Sequence, residues 1–334
     1  MYIPRAIENQ IIKKIKDKKV IVIYGSRQAG KTTLVKKISQ QVSNKFREIK
    51  IVTGEDLETR RWLSSQSVSK LKEFIGKTDL LIIDEAQRIE NIGLNLKLIA
   101  DQIPEVKIIA TGSSSFELSK QVGEPLVGRK WQFTLYTLSQ LELGKIETPF
   151  ETKQNLEKRM IFGSYPEVIV SQSREDKREI LGGILDNYLF RDLLVFQDIR
   201  RADKLVDLLR LLAFQIGKEV SLRELSSNLN LNVVTVEKYL DLLEKVFVIK
   251  RIFGFSRNLR KEVTKNSRFY FLDNGIRNVV INNFNSLEMR NDCGELWENY
   301  LFSERLKKQE YQNIYANNYF WRTYDQKEID WVEE

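Results

Sequence analysis

Along the first 136 residues, short apolar runs alternate with segments in which apolar positions recur at helical spacing. The apolar runs predict strands at residues 20–24, 46–52, 79–84, 106–112 and 129–136. Helices are predicted at residues 6–17, 31–40 and 92–102. Because apolar strands that alternate with helices are typical of a parallel sheet covered on both faces, this region is predicted to have an α/β fold.

From about residue 138 the pattern becomes helical, with helices predicted at 153–162, 175–195 and 204–216. The segment FGSYPEV, at residues 162–168, interrupts this region with a glycine and a proline. Because these residues commonly break regular structure, we interpret the segment as a hinge that follows the first domain.

Residues 218–253 predict two short helices followed by a strand, and Ser221 and Glu224 have the spacing of a capping box at the first helix. A basic stretch, RNLRKEVTKNSR, and a strand at 269–273 follow. Two helices before a two-stranded ribbon outline a winged helix. The last segment predicts a helix at 294–309 and a hairpin at 318–332.

Composition limits the chemistry that this chain can perform. Its 334 residues allow two or three domains. It contains no histidine and a single cysteine, Cys293, which excludes Ser–His triads, His or Cys zinc sites and disulfides within one chain. Catalysis must therefore use carboxylates, lysine, arginine, hydroxyls, backbone amides and a hard metal ion.

Charge and hydropathy give weaker indications of partners and of cellular location. The net charge of +8 favours acidic partners, although lysine-rich stretches such as KKIKDKK are typical of a solvated helix face. The apolar runs are too short to span a bilayer, and the N-terminal residues lack the apolar core of a signal peptide. We therefore expect a cytoplasmic protein with no membrane partner.

The clearest motif is YGSRQAGKTT, at residues 24–33, which contains G-x-x-x-x-G-K-T between a predicted strand and a predicted helix. In such a loop the glycines let backbone amides surround phosphate oxygens, Lys31 reaches the outer phosphates and Thr32 is a ligand of Mg²⁺. The predicted phosphate cradle consists of Gly25, Ser26, Arg27, Gln28, Ala29, Gly30, Lys31, Thr32 and Thr33. The motif therefore predicts a bound magnesium nucleotide.

Two more strands end in polar residues that suit such a site. Asp84 ends the apolar run LLIID and is predicted to support the metal, and Glu85 is predicted to polarise the attacking water. The next strand ends in ATGSSS, where Thr111, or as a second choice Ser113, would sense the γ-phosphate. Capping of the following helix is the alternative role for these hydroxyls.

The additional strand between the two motifs, and the glutamate directly after the aspartate, resemble the AAA+ branch of P-loop ATPases. Seven segments resemble, in order, a bacterial and archaeal family of such ATPases that carries a winged helix and a C-terminal nuclease-like domain. They are IPRAIENQI, GSRQAGKTTL, LLIIDEAQRIEN, KIIATGSSSFEL, PLVGRKWQFTLYTLSQLE, FGSYPEVI and YFLDNGIRN. The resemblance implies ATP rather than GTP as the nucleotide.

The same resemblance draws attention to Arg129 in LVGR, whose guanidinium would reach a nucleotide as an arginine finger from a neighbouring subunit. That role would make hydrolysis depend on a homo-oligomer. The alternative is that Arg129 forms a structural ion pair with a carboxylate. Arg27 and Gln28 match the family as well, but their side chains need not touch the nucleotide.

The winged helix suggests contact with double-stranded DNA, but its residues support this only in part. The polar face of its second helix carries Asn232, Thr235, Glu237, Lys238, Asp241 and Glu244, and three carboxylates there would repel phosphate. The basic residues lie in the wing, at Arg257, Arg260, Lys261, Lys265 and Arg268. DNA contact would therefore use the phosphate backbone, and a module that packs on protein is the alternative.

The final segment resembles the start of the family's nuclease-like domain, with Glu298 on a helix and Asp330 on a strand. A magnesium-dependent nuclease would also need an acidic-x-Lys strand after Asp330, and none occurs before Glu334. We therefore expect Glu298 and Asp330 to be structural residues.

These interpretations divide the chain into an AAA+-type ATPase domain at 1–150, a helical linker at 151–217, the winged helix at 218–273 and an incomplete α/β domain at 274–334. The predicted function is ATP hydrolysis that moves the winged helix, acting on DNA. Two alternatives stay open, a slowly hydrolysing nucleotide switch that binds DNA and an adaptor that binds protein.

Overall fold

The computed structural model describes residues 2–112, 126–186, 201–255, 267–323 and 327–334. These residues divide into two units, Tyr2–Tyr136 and Thr137–Glu334. Among the described residues, no helix has the length and apolar character that crossing a membrane requires.

The first unit is built on a five-stranded parallel sheet whose strand order is β2-β3-β4-β1-β5. Its strands are β1 (Val20–Gly25), β2 (Ile49–Thr53), β3 (Leu80–Asp84), β4 (Lys107–Gly112) and β5 (Lys130–Leu135). Its helices are α1 (Glu8–Lys14), α2 (Lys31–Val42), α3 (Leu57–Leu63), α4 (Val68–Ile75) and α5 (Ile92–Gln102). The predicted α/β fold with a parallel sheet is confirmed.

Burial follows the position of each strand in this sheet. Every residue of β1 and β3 is buried, whereas the edge strand β2 is only partly so. Inner strands covered by helices on both faces lose both of their surfaces to the core, which explains why their sequences, VIVIYG and LLIID, are almost continuously apolar.

The second unit begins with a series of helices. They are α6 (Gln140–Leu143), α7 (Pro149–Phe162), α8 (Pro166–Val170), α9 (Arg174–Leu185) and α10 (Ala202–Phe214). The helices α11 (Leu222–Leu229), α12 (Val233–Lys245), α13 (Asn274–Val280) and α14 (Cys293–Gln312) follow. One continuous core contains side chains of α9, α10, α11, α12 and α13, such as Leu181, Leu208, Leu225, Leu240 and Ile276.

A second five-stranded sheet completes this unit, with strand order β10-β9-β7-β8-β6. Its strands are β6 (Glu219–Val220), β7 (Ile249–Gly254), β8 (Ser267–Phe271), β9 (Asn318–Arg322) and β10 (Glu328–Glu333). The predicted hairpin at 318–332 is confirmed as the antiparallel pair β9 and β10. Since β9 pairs in parallel with β7, the predicted two-stranded ribbon is part of a wider sheet.

Two local predictions are wrong. Ser221 precedes α11, but its side chain makes no capping hydrogen bond, so the SLRE capping box does not form. Capping boxes form instead at Ser139 with Glu142 and at Thr148 with Glu151. Short capping signals are common in sequences, and tertiary contacts decide which of them is used.

The segment at residues 162–168 is not a hinge between the two units. It lies inside the second unit, and its residues from Phe162 to Tyr165 are buried. The backbone N–H of Ser164 donates to Oδ2 of Asp273 at 2.9 Å, and the Ser164 carbonyl accepts from Leu138 N–H at 2.9 Å. Glycine and proline here accommodate a tightly packed turn.

Candidate functional site

The loop between β1 and α2 requires glycine at two positions. Gly30 occupies the N-cap of α2 with φ of 95°, in the left-handed region that favours glycine. A Cβ at Gly25 would lie 2.1 Å from the carbonyl oxygen of Leu135 on β5. The two glycines of the motif are therefore required by backbone geometry, as the phosphate-cradle prediction assumes.

Within this loop the motif side chains have different environments. Ser26, Ala29 and Lys31 are buried, Arg27 is half-buried, and Gln28, Thr32 and Thr33 are exposed. The ammonium group of Lys31 donates to the carbonyl oxygens of Gly25 and Ser26, each at 2.8 Å. The Lys31 charge therefore lies in the concave side of its own loop, beside the amides that would face a phosphate.

Asp84, at the end of β3, connects that strand to β4 and to the start of α2. Its Oδ2 accepts a hydrogen bond from the Thr32 hydroxyl at 2.6 Å, and its Oδ1 accepts one from the Thr111 hydroxyl. Strand order explains this, because β4 lies between β1 and β3 and the carboxyl ends of parallel strands meet at one edge of the sheet. The structure thus brings together Thr32, Asp84 and Thr111, three of the predicted site residues.

Glu85 follows Asp84 with φ of 48°, a left-handed conformation that costs a non-glycine residue about 1 kcal/mol or more. The Gln87 side-chain amide donates a hydrogen bond to the Glu85 carboxylate at 2.6 Å. The backbone N–H of Glu85 donates to the Thr111 hydroxyl at 3.3 Å. The strained backbone turns the carboxylate out of the strand, and Gln87 holds it there. No role was predicted for Gln87, although its two-residue separation from Glu85 was a usable signal.

Two further predicted residues lie apart from this arrangement. The guanidinium of Arg129 pairs with Asp101 at 2.8 Å, and both side chains are a third or more exposed. Ser113, the second choice for a γ-phosphate sensor, lies outside the described residues. The structure therefore shows Arg129 in a surface ion pair within its own unit.

The donor set suits Mg²⁺ that is shared with a phosphate group. Among the described residues, no cluster of three or more His, Cys, Asp or Glu side chains forms a complete metal cage. Magnesium typically uses one or two protein oxygens and completes its octahedron with waters and substrate phosphates. The adjacent oxygens of Thr32 and Asp84 fit that role.

A second group of predicted residues meets in the second unit, around Arg268. This guanidinium is 3% exposed and lies 2.8 Å from both Asp330 and Glu328, and 3.8 Å from Glu298. The Tyr270 hydroxyl donates to Glu298 at 2.6 Å. Protein donors thus satisfy these carboxylates, in agreement with a structural role for Glu298 and Asp330.

The burial of Arg268 corrects its assignment to a DNA-binding wing. A guanidinium enclosed by three carboxylates has no free surface for a phosphate. The other basic wing residues, Arg257, Arg260, Lys261 and Lys265, lie outside the described residues. A cavity of about 890 Å³ lies next to the cluster, and Tyr270, Glu298 and Asp330 form part of its lining.

Comparison with known families supports the assignment of the first unit. Residues 17–144 match the family model described as AAA domain, so this segment is similar to that domain. Residues 153–287 and 293–334 match two domains of unknown function, DUF8612 and DUF4143. The matched segments follow the order AAA domain, helical region and C-terminal region.

Curated relatives align with nearly the whole chain. An uncharacterized protein of Mycobacterium tuberculosis is 25% identical over 93% of this chain, and the alignment covers 66% of that relative, just under two thirds of its length. An uncharacterized protein of Methanocaldococcus jannaschii is 24% identical in an alignment that covers 98% of this chain and 75% of that relative. The chain is therefore similar to longer proteins of bacteria and archaea.

Solved structures give weaker similarities. The AMPPCP-bound DnaA of Aquifex aeolicus has 16% identity and a TM-score of 0.39, with 73% of this chain and 89% of that chain covered. The Pif1 helicase of Candida albicans has 15% identity and a TM-score of 0.32, with 55% of this chain and 54% of the helicase chain covered. TM-scores below 0.5 do not establish a shared overall fold.

The environment of Glu298 predicts a pH-dependent stability. Burial, followed by the charges of Asp330 and Glu328, raises the pKa of this carboxyl above its usual range. The folded protein therefore binds the proton more tightly than the unfolded chain, and stability falls as pH rises through the raised pKa. Glu298→Gln should raise the Tm by about a few degrees near pH 7 and change it little near pH 4.

Thermal unfolding followed by circular dichroism checks this expectation, with Glu288→Gln as the control because Glu288 is exposed in the same unit. A Glu298→Gln variant that is less stable than the wild type at neutral pH would show that the negative charge stabilises the cluster.

Proposed function

We propose that this protein is a magnesium-dependent ATPase in which hydrolysis changes the conformation of its second unit. The observation that carries the proposal is the hydrogen-bonded series Thr32, Asp84 and Thr111 beside the glycine loop. The match of residues 17–144 to the AAA domain family supports ATP as the nucleotide.

In this proposal, residues 25–33 bind the phosphates through backbone amides and the positive end of α2. Lys31 would exchange its contacts with the carbonyls of Gly25 and Ser26 for contacts with phosphate oxygens by a rotation of its side chain. Thr32 and Asp84 would hold Mg²⁺, and that ion would neutralise charge that develops on the phosphate oxygens.

Glu85 is the proposed group that orients the attacking water. The hydrogen bond from Gln87 fixes the carboxylate of Glu85, and the hydrogen bond from Thr111 fixes the preceding residue, Asp84. Thr111 thereby contacts the carboxylate of Asp84 and the backbone N–H of Glu85, and this position supports its proposed role as the γ-phosphate sensor. Each role depends on positioning rather than on covalent chemistry, as is usual in phosphoryl transfer.

Arg129 is proposed as an arginine finger that acts on a neighbouring subunit of a homo-oligomer. Its ion pair with Asp101 is on the surface, and exposed pairs contribute only about 0–1 kcal/mol. Exchange of Asp101 for a nucleotide phosphate therefore costs little.

Two substitutions separate nucleotide binding from hydrolysis. Lys31→Ala should weaken ATP binding roughly 100-fold, because a buried ammonium that pairs with phosphate is lost. Glu85→Gln should leave binding nearly unchanged and lower turnover about 100-fold or more, because only the water-orienting charge is lost. Equilibrium binding of ATP and release of phosphate measure the two effects.

The matched controls are Lys36→Ala, an exposed lysine on α2, and Glu90→Gln, an exposed glutamate after β3. Both controls should behave as the wild type. Equal hydrolysis by the Lys31 and Glu85 variants would contradict the mechanism, and tight binding with negligible wild-type turnover would favour the nucleotide-switch alternative.

We also infer that the α11 and α12 helices form the helical part of a winged helix, and that α12 contacts protein rather than DNA. Glu237 and Asp241 are exposed on α12, and Lys238 is the exposed base beside them. With Arg268 buried, the exposed charged side chains of α12 are two carboxylates and one ammonium, which offers DNA phosphates little attraction. The protein-binding adaptor alternative is therefore favoured over DNA reading by this helix.

Charge neutralisation on α12 tests this inference. The double variant Glu237→Gln with Asp241→Asn should change the affinity for a DNA duplex by less than about twofold, because α12 does not face phosphate. Fluorescence anisotropy with a labelled duplex at low and physiological salt gives the measurement. The control is the double variant Glu175→Gln with Glu179→Gln on α9. If the α12 variant binds DNA about tenfold or more tightly than the wild type and the α9 variant does not, α12 lies against DNA and the inference is wrong.

A further inference from the structure

A buried arginine outside the motif contacts the phosphate-binding loop. Arg5 is 5% exposed and precedes α1. Its Nη1 donates to the carbonyl oxygen of Ala29 at 2.6 Å, and its Nη2 donates to the carbonyl oxygen of Tyr136 at 2.6 Å. One guanidinium therefore joins the loop to the last residue of the first unit.

The contact with Ala29 determines the direction of a neighbouring amide. The Ala29 carbonyl and the Gly30 N–H belong to one peptide unit, and in a planar trans peptide these two groups point in opposite directions. When Arg5 holds the carbonyl on one side, the Gly30 N–H is directed to the other side. A charged donor on the carbonyl also polarises the peptide, which strengthens the N–H as a donor.

Glycine at this position makes such a restraint necessary. Gly30 has φ of 95° and no Cβ, so its flanking peptides rotate more freely than those of other residues. An external hydrogen bond to one of these peptides reduces that freedom before a ligand arrives. Preorganisation of this kind improves affinity without any new contact to the ligand.

Arg5 is itself held by a second buried residue. Its backbone N–H donates to Oε2 of Glu8 at 3.0 Å, and Oε1 of Glu8 accepts from the Gln41 side chain at 3.1 Å. Glu8 is 5% exposed, and Gln41 lies in the last turn of α2. The N-terminal segment is thus attached to both the loop and the helix that follows it.

The other contact lies at the point where the chain leaves the first unit. Tyr136 directly follows β5 and directly precedes Thr137, where the second unit begins. The hydrogen bond to the Tyr136 carbonyl therefore anchors the guanidinium at the end of β5 while it holds the Ala29 carbonyl.

We propose that Arg5 is a positioning residue that holds the Ala29–Gly30 peptide in the orientation that binds phosphate. The inference rests on the proposed ATPase function of the same loop. Arg5 has no contact with substrate in this proposal and acts through the backbone of Gly30.

Steady-state kinetics of Arg5→Lys provide the test. Lysine keeps the buried charge but cannot reproduce the forked contact with two carbonyls, so the variant should fold. Its KM for ATP should rise roughly tenfold while kcat stays within about twofold, because the Gly30 amide binds ground state and transition state alike. Arg61→Lys, an exposed arginine on α3, should match the wild type in both constants.

Chemical rescue of Arg5→Ala adds a measurement that a purely structural role would not produce. Guanidinium at about 10 mM, far below denaturing concentrations, should restore ATP affinity several-fold in this variant and leave Arg61→Ala unchanged. Thermal unfolding of each variant establishes that the measured affinity belongs to folded protein.

The outcomes separate this inference from the function on which it rests. A wild-type protein that does not bind ATP would remove the proposed function itself. A wild type that binds ATP, together with an Arg5→Lys variant of equal KM or one that fails to fold, would overturn only the role of Arg5. Raised KM with retained kcat, and rescue by guanidinium, would establish it.

Discussion

The site depends on one interaction, the acceptance of two hydroxyl hydrogen bonds by the carboxylate of Asp84. Thr32 donates from the start of α2 and Thr111 from β4, so three separate segments converge on one buried charge. A buried carboxylate is stable only when donors surround it, and here the sheet order supplies them. The same contacts place Asp84 beside the glycine loop at residues 25–33, so the hydrogen bonds that stabilise this carboxylate also form the proposed site.

In the second unit, a buried cation plays the corresponding role. Arg268 on β8 is enclosed by carboxylates from α14 and β10, segments that are distant from it in the chain. This cluster connects β10 and α14 to β8, which belongs to the same sheet as β10. Because Arg268 is buried, loss of its close partners Glu328 and Asp330 would leave a buried charge poorly paired, so the cluster stabilises the packing of β10 against β8.

Local patterns were sufficient for the parallel sheet, the glycine loop and the placement of Asp84 at a strand end. They failed where a residue's role depends on distant partners. Arg268 was assigned to a basic wing because the pattern of charges along the sequence does not show which side chains will enclose it. Arg5 contacts a carbonyl 24 residues away through its guanidinium, and no periodicity or motif marks such a side-chain-to-backbone contact. The turn at Ser164 was mistaken for a hinge because glycine and proline serve buried turns as well as exposed ones.

The most direct measurement of the central claim is the Mg²⁺ dependence of ATP affinity in the wild type and in Asp84→Asn. The amide keeps the shape of the side chain and an acceptor for one threonine, but it loses the charge that the metal requires. If Asp84 and Thr32 hold the ion, Mg²⁺ should tighten ATP binding about tenfold or more in the wild type and by less than about twofold in the variant. The same Mg²⁺ dependence in both proteins would contradict the account.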